Sequence, residues 1–393
     1  MEITMLSLLA RLWIRDADNT ESPAVRQAYG MLCGGMGIFL NLLLFGGKLF
    51  AGLLSGSVAV LADAFNNLSD AGSSLVTLIG FRLAGQKPDI QHPFGHGRLE
   101  YISGLVVSMA ILIMGFELAK SSVEKIFTPS DVTFSLMTAV ILAVSVLVKF
   151  YMFLYNRSVG KKIESAAMHA TASDSLSDAL ATTVVLLSML AAHFFRLRID
   201  GWCGLLVSVF ICISGIKSVK ETVGPLLGQP ADPEYVKKIR DIVMAHPGIV
   251  GIHDLIVHDY GPGRAMISLH AEVSDRANLL ETHDMIDNVE QELRDTLGCD
   301  AVIHMDPIAT DDALTLETRK KVSELVKIID ESITIHDFRM VVGPTHTNLI
   351  FDIVIPFGFR LSDGQVLEDV SRIVSSLDEN YRAVVRIDKS YVA

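Results

Sequence analysis

Twelve residues from Leu61 to Gly72, LADAFNNLSDAG, set Asp63, Asn66, Asn67 and Asp70 inside an otherwise apolar run. Asp63, Asn66 or Asn67, and Asp70 follow i, i+3/i+4, i+7 spacing, which is one face of a helix. A second run, HATASDSLSDALATT from His169 to Thr183, places Asp174 and Asp178 one helical turn apart. The tetrapeptide LSDA occurs in both runs, at 68–71 and 176–179. Two helices that each offer an oxygen-bearing i, i+4 pair can close around a cation, with Asn66, Asp70, Asp174 and Asp178 as its ligands. Carboxylate and carboxamide oxygens suit hard or borderline divalent ions such as Mn²⁺, whereas imidazole or thiolate favours Zn²⁺. Hydrogen bonding between helices accounts for Asn67, Ser69, Ser175 and Ser177 without any ion. It does not account for three aspartates, because ionisable groups at membrane depth are costly and mark ion or substrate paths. His169 stands five residues before Asp174, out of register with the pair.

The elements that must position these groups are membrane spans. Half of the 393 residues are hydrophobic, 20% are charged, and the mean hydropathy is +0.42. Such a composition points to an integral membrane protein. Stretches of about 20 apolar residues, enough to cross a bilayer core, lie near 30–54, 57–84, 99–123, 133–156, 166–195 and 201–225. The chain therefore divides into an amphipathic cytoplasmic segment (1–28), a domain of six transmembrane helices (29–227) and a soluble half beyond it. Arg26, Arg82, Lys87, Arg98, Arg157, Lys161, Lys162, Lys217 and Lys220, with Arg11 and Arg15, gather on one side of the spans; Lys120, Lys125, Arg196 and Arg198 lie on the other. By the positive-inside rule both termini are cytoplasmic. The first residues lack the pattern of a signal peptide. The net charge of −12 argues against a nucleic-acid partner. Four cysteines without CxxC spacing argue against disulfides and thiolate metal sites. No HExxH or nucleophile–base constellation speaks for an enzyme.

Two further groups carry ligand chemistry. KPDIQHPFGHGR, after the second span, holds Asp89, His92 and His96 at ligand spacing; the same residues also suit a tight turn shaped by Pro93 and Gly95. The soluble half reads as helix, strand, turn, strand, helix, strand over 228–309, an αββαβ order of α+β ferredoxin-like type. ITIHDFRMVVGPTHTNLIFDIVIP then resembles VGIHDLIVHDYGPGRAMISLHAEV earlier in the chain. Flanked by a helix over about 315–330, another near 363–377 and the strand AVVRID, it makes 310–393 a degenerate second αββαβ repeat. His253 corresponds to His336, but His270 becomes Asp352 and His304 becomes Arg386. This copy is expected to be a packing or partner module rather than a metal site.

The paired motifs, HPFGHGRLEYISGL after the second span, the six spans and the cytoplasmic domain together resemble the cation diffusion facilitator family over about residues 25–308. That resemblance implies a homodimer in the membrane lipid that exports divalent metal from the cytoplasm in exchange for protons. Its transport site would be Asn66, Asp70, Asp174 and Asp178. It implies a loop metal site at Asp89, His92 and His96, and a cytoplasmic one at His253, His270, His283, His304 and Asp306. The pairs Asn-x3-Asp and Asp-x3-Asp, without histidine, are similar to the bacterial manganese-exporting branch. They imply an inner (cell) membrane location, with Mn²⁺ as substrate rather than cofactor. Zn²⁺, Fe²⁺ or Co²⁺ efflux by the same fold is the alternative, and a membrane-anchored metal sensor is a third reading. The buried aspartates argue against the sensor, since an anchor has no use for them.

Overall fold

The computed structural model describes residues 10–390 except 11, 15, 21, 56–57, 129–134 and 196–199; the side chains of 23, 51–55, 58–63, 192 and 200 are also outside the description. Arg11, Arg15, Arg196 and Arg198 thus lie outside the described residues, as does the side chain of Asp63. The chain forms two compact units, one of residues 1–229 with 260–264, the other of the remainder.

In the first unit, α1 (Pro23–Ser55), α2 (Val58–Ala84), α3 (Leu99–Phe127), α4 (Leu136–Lys162), α5 (Ala166–Phe195) and α6 (Asp200–Leu227) are long helices. Among the described residues five stretches are long and apolar enough to cross a membrane: Ala24–Phe50, Leu99–Phe127, Leu136–Lys162, Ala166–Phe195 and Gly201–Leu227. With its 27 residues, α2 is long enough to span, but its Asn, Asp, Ser and Thr residues thin its apolar content. The first helix starts at Pro23, earlier than the apolar run suggests; proline fits a first helical turn because its missing N–H has no partner there anyway. Ahead of it, Ala10 and Ile14 are buried with Val25, Tyr29 and Ile163, while Leu12 and Trp13 point outward.

The helices pack chiefly as pairs: α1 with α2, α3 with α6, and α4 with α5. Small residues permit the close approaches, because within a bilayer packing rather than water exclusion holds helices together. A Cβ on Gly34 of α1 would stand 2.8 Å from the Cβ of Leu78 on α2. One on Gly104 of α3 would stand 2.9 Å from both the Ala167 Cα of α5 and the Thr222 Cγ2 of α6. Hydroxyls and amides fasten the contacts: Ser108 to Ser218 (2.7 Å), Thr77 to Thr171 (3.0 Å), and Asn41 donating to Ser74 (3.4 Å). Outward faces carry Phe39, Phe116, Leu147 and Leu206, all exposed. Such an apolar exterior is what lipid contact requires.

In the second unit, α7 (Pro233–Met244), β1 (Ile249–Asp259), β2 (Ala265–Ser274), α8 (Leu279–Leu297) and β3 (Asp300–Ile308) precede a matching set. That set is α9 (Ala313–Val326), β4 (Thr334–Val342), β5 (Thr347–Ile355), α10 (Asp363–Leu377) and β6 (Tyr381–Lys389). The caps explain the boundaries. Asp232 accepts from the Glu234 and Tyr235 N–H groups ahead of Pro233. Gly298 ends α8 at φ 65°, and Ser362 opens α10 in a capping box with Gln365. Each sheet has three strands, the first two antiparallel and the second and third parallel, in the orders β1-β2-β3 and β4-β5-β6.

The register likewise recurs. Across the first sheet His253 pairs with His270 and His270 with His304. Across the second, His336 pairs with Asp352 and Asp352 with Arg386. Both leading strands break register just after the histidine, where Asp254 and Asp337 adopt left-handed backbone at φ 50° and 51°. Aspartate tolerates that conformation better than most residues. Separate cores sit under the sheets, one around Ile239, Leu269, Val289 and Leu293, the other around Val322, Phe351, Val366 and Val370. Phe351 is fully buried. Phe351→Ala should cost about 3–5 kcal/mol, read as an early, separate loss of the second module in thermal unfolding of the full chain. An unshifted transition would show that this core does not hold the module.

Candidate metal sites

In the first unit, Asp70 of α2 and Asp174 and Asp178 of α5 lie within electrostatic reach of one another between helices. Asp174 is 8% exposed. Between them lies a residue that i, i+4 spacing does not single out. Lys149 of α4 is 3% exposed, and its Nζ donates to Asp70 Oδ2 and to Asp178 Oδ2, each at 2.6 Å. Asp174 is within electrostatic reach of all three. On their own the three carboxylates do not close to the mutual spacing reached by the histidine–aspartate groups elsewhere in the chain. The ammonium supplies the counter-charge that buried carboxylates need. Its signal in the sequence was a lone lysine inside the apolar run VSVLVKFYMF.

The carboxamides differ from expectation. Asn66 is exposed, whereas Asn67 is buried and donates to Asp70 Oδ2 at 3.2 Å. At about 100° per residue, the two asparagines flank Asp70 by roughly 40° and 60° on opposite sides. The rotation of α2 therefore decides which one it meets. Thr77 and Thr171, hydrogen-bonded across α2 and α5, hold that rotation from beyond the aspartates.

In the loop between α2 and α3, Asp89, His92 and His96 come together with one ligand atom of each within 4.8 Å of the others. The His96 Nε2 lies 3.4 Å from Asp89 Oδ2, and His92 Nδ1 lies 3.6 Å from Asp89 Oδ1. Backbone N–H groups of His92 (2.7 Å) and Gln91 (2.9 Å) also point at Asp89. The His92 N–H above all keeps this carboxyl ionised below the usual carboxylate range. The group is exposed enough for an ion to reach it from solvent.

On the first sheet, His253, His270 and Asp306 form a second such group. Asp306 Oδ2 accepts from His270 at 2.8 Å and lies 3.0 Å from His253 Nε2, while its Oδ1 lies 3.2 Å from His304 Nε2. Burial, then the neighbouring His336 ring, pushes the His253 imidazole down, towards the neutral form that binds metal. His283 stands apart: it is exposed on α8, 3.4 Å from Asp287, and belongs to no such group in the single chain. The β-register explains this, since it aligns strand residues 253, 270 and 304 in one row and leaves a helix residue outside it.

The family model "Cation efflux transmembrane domain" matches residues 36–227, and "Cation efflux protein, cytoplasmic domain" matches residues 231–308. Both matches stop before the second module. Among curated proteins, the cation-efflux pump FieF of Escherichia coli O139:H28 (strain E24377A / ETEC) is 31% identical over 261 residues, 66% of this chain and 87% of that protein. The cation-efflux pump FieF of Escherichia coli (strain K12 / DH10B) matches with the same identity and coverage. With an integral membrane domain, a cytoplasmic dimerisation domain and metal as substrate rather than cofactor, this chain belongs to the cation diffusion facilitator family of divalent-cation efflux transporters.

Proposed function

We propose that the protein moves Mn²⁺ out of the cytoplasm in exchange for protons, through Asp70, Asp174, Asp178 and the carboxamide of Asn66 or Asn67. The observation that carries this reading is the convergence of three aspartates and one lysine between helices α2, α4 and α5. All the neutral and anionic donors offered are oxygens, which suit Mn²⁺ better than an imidazole-containing set would. Zn²⁺, Fe²⁺ or Co²⁺ remains the alternative cargo, because donor type filters metals by preference and not absolutely. On this reading α2 is a sixth span, thinned in apolar content by its ligands, and both termini are cytoplasmic.

Lys149 gives the exchange a physical route. In the metal-free site its ammonium balances Asp70 and Asp178 and keeps them from repelling each other. An arriving divalent ion competes for the same oxygens, so the lysine must withdraw or charge must leave with a proton. Departure of the ion restores the lysine, or a proton, to the carboxylates. Asp89, His92 and His96 in the loop, and His253, His270, His304 and Asp306 on the sheet, are further metal positions. We assign them to capture and to sensing of cytoplasmic metal, with His283 joining only through a second protomer of a homodimer. The recurring αββαβ order and the paired left-handed aspartates support an internal duplication as the origin of the second module.

Inverted membrane vesicles loaded with this protein should take up Mn²⁺ faster than Zn²⁺, Fe²⁺ or Co²⁺, and Asp174→Ala should abolish the uptake. Equal uptake by the two chains would reject the site; a Zn²⁺ preference would reject the cargo alone. An acidic vesicle interior should accelerate uptake, and dissipating the gradient with an ionophore should slow it. Uptake indifferent to the gradient would remove proton exchange from the proposal. Lys149→Met, which leaves the carboxylates without their tethered cation, should bind Mn²⁺ about tenfold tighter, roughly 1.4 kcal/mol, while turnover falls. Unchanged affinity would show that lysine and metal do not compete.

A further inference from the structure

His336 raises a question that the transport reading leaves unanswered. It is 6% exposed, and neither ring nitrogen has a hydrogen-bond partner among the described residues. A buried imidazole is normally partnered, so one whose Nε2 faces two carboxylates without hydrogen-bonding either invites a ligand. Its ring stacks on His253 of the first module, with centroids 4.1 Å apart and planes 19° apart. Its Nε2 lies 3.8 Å from Asp254 Oδ1 and 3.8 Å from Asp388 Oδ2. Those distances are too long for hydrogen bonds. They approach the separation of neighbouring ligands on one ion, since two donors each about 2.0–2.2 Å from a metal stand about 3–4 Å apart. One ligand atom of each residue falls within 4.8 Å of the others.

Each member is placed by the fold. Asp254 is thrown toward His336 by its left-handed backbone at the kink in β1. Asp388 pairs with Val354 across the second sheet, as Asp306 pairs with Glu272 across the first. It is therefore the second module's counterpart of the aspartate at the centre of the first cluster. Its Oδ1 is engaged by Arg386 Nε at 3.3 Å, which leaves Oδ2 facing the imidazole. The second module has lost two histidines from its strand row, yet it keeps His336 and Asp388 and takes a third donor from the first module.

We propose that Asp254, His336 and Asp388 form a divalent first-row metal site joining the two cytoplasmic modules, with its remaining positions open to water. One imidazole and two carboxylates accept Zn²⁺, Co²⁺ or Mn²⁺. An ion there bridges β1 to β4 and β6. It adds a metal-dependent tie to the Arg319–Glu272 ion pair that already joins the modules, so the junction tightens as cytoplasmic metal rises. The site stands independently of the membrane aspartates.

The test is a count of bound Zn²⁺ by elemental analysis on the full chain, metal-stripped in detergent and then dialysed against Zn²⁺. Asp254→Asn and His336→Gln should each lose one equivalent per protomer, and the double variant should lose no more than one. His270→Ala should lose a different equivalent, additive with these. Asp254→Asn is the decisive variant, because asparagine accepts the same left-handed backbone and the side chain is 37% exposed. Its fold is checked by the metal-free thermal transition, which should match that of the natural chain, while its Zn²⁺-induced rise in that transition shrinks. A natural-like Zn²⁺ count for Asp254→Asn, or losses that add in the double variant, would overturn the site.

Discussion

A buried charge must be answered by another, and the membrane domain is arranged around that constraint. Removing an ammonium or a carboxylate from water is costly enough that neither stands alone in a low-dielectric interior. Lys149, itself buried, meets the part-buried Asp70 and Asp178 at 2.6 Å. The hydroxyl bond of Thr77 with Thr171 holds α2 and α5 together beside these groups.

The cytoplasmic unit applies a different constraint, that of strand register. Because facing residues on neighbouring strands share a side of the sheet, one row of pairing places His253, His270 and His304 side by side. The second sheet preserves the row while changing two of its chemistries, to Asp352 and Arg386. The strand order and the kinks at Asp254 and Asp337 therefore match between the two modules, while the side chains in the row do not. What the second module retains, His336 and Asp388, faces the first module.

Much of this was readable from residue spacing. The i, i+4 aspartates, the apolar runs and the alternation of the strands each obey a short-range period, so their elements follow from local sequence. Asn66 and Asn67 resisted, because both flank Asp70 and the choice depends on how α2 is rotated by its neighbours. Lys149 was hidden in plain view: one cation in an apolar run looks like an impurity until the facing helices are known. His283, which the resemblance alone implies, rides on α8 outside the strand row. The Asp254, His336 and Asp388 group could not be read at all. Its members are distant in the chain, and one is brought in by a kink that no alternation pattern reveals.

The helix pairing gives the lysine a mechanical meaning. Asp178 and Lys149 belong to the same close pair, α5 with α4, whereas Asp70 belongs to the pair of α2 with α1. One ammonium thus acts both as a rivet within one helix pair and as a latch across to another. On the proposed reading, a metal that displaces it unfastens the latch while the packing within each pair remains, so that occupancy of the site is felt between pairs rather than within them.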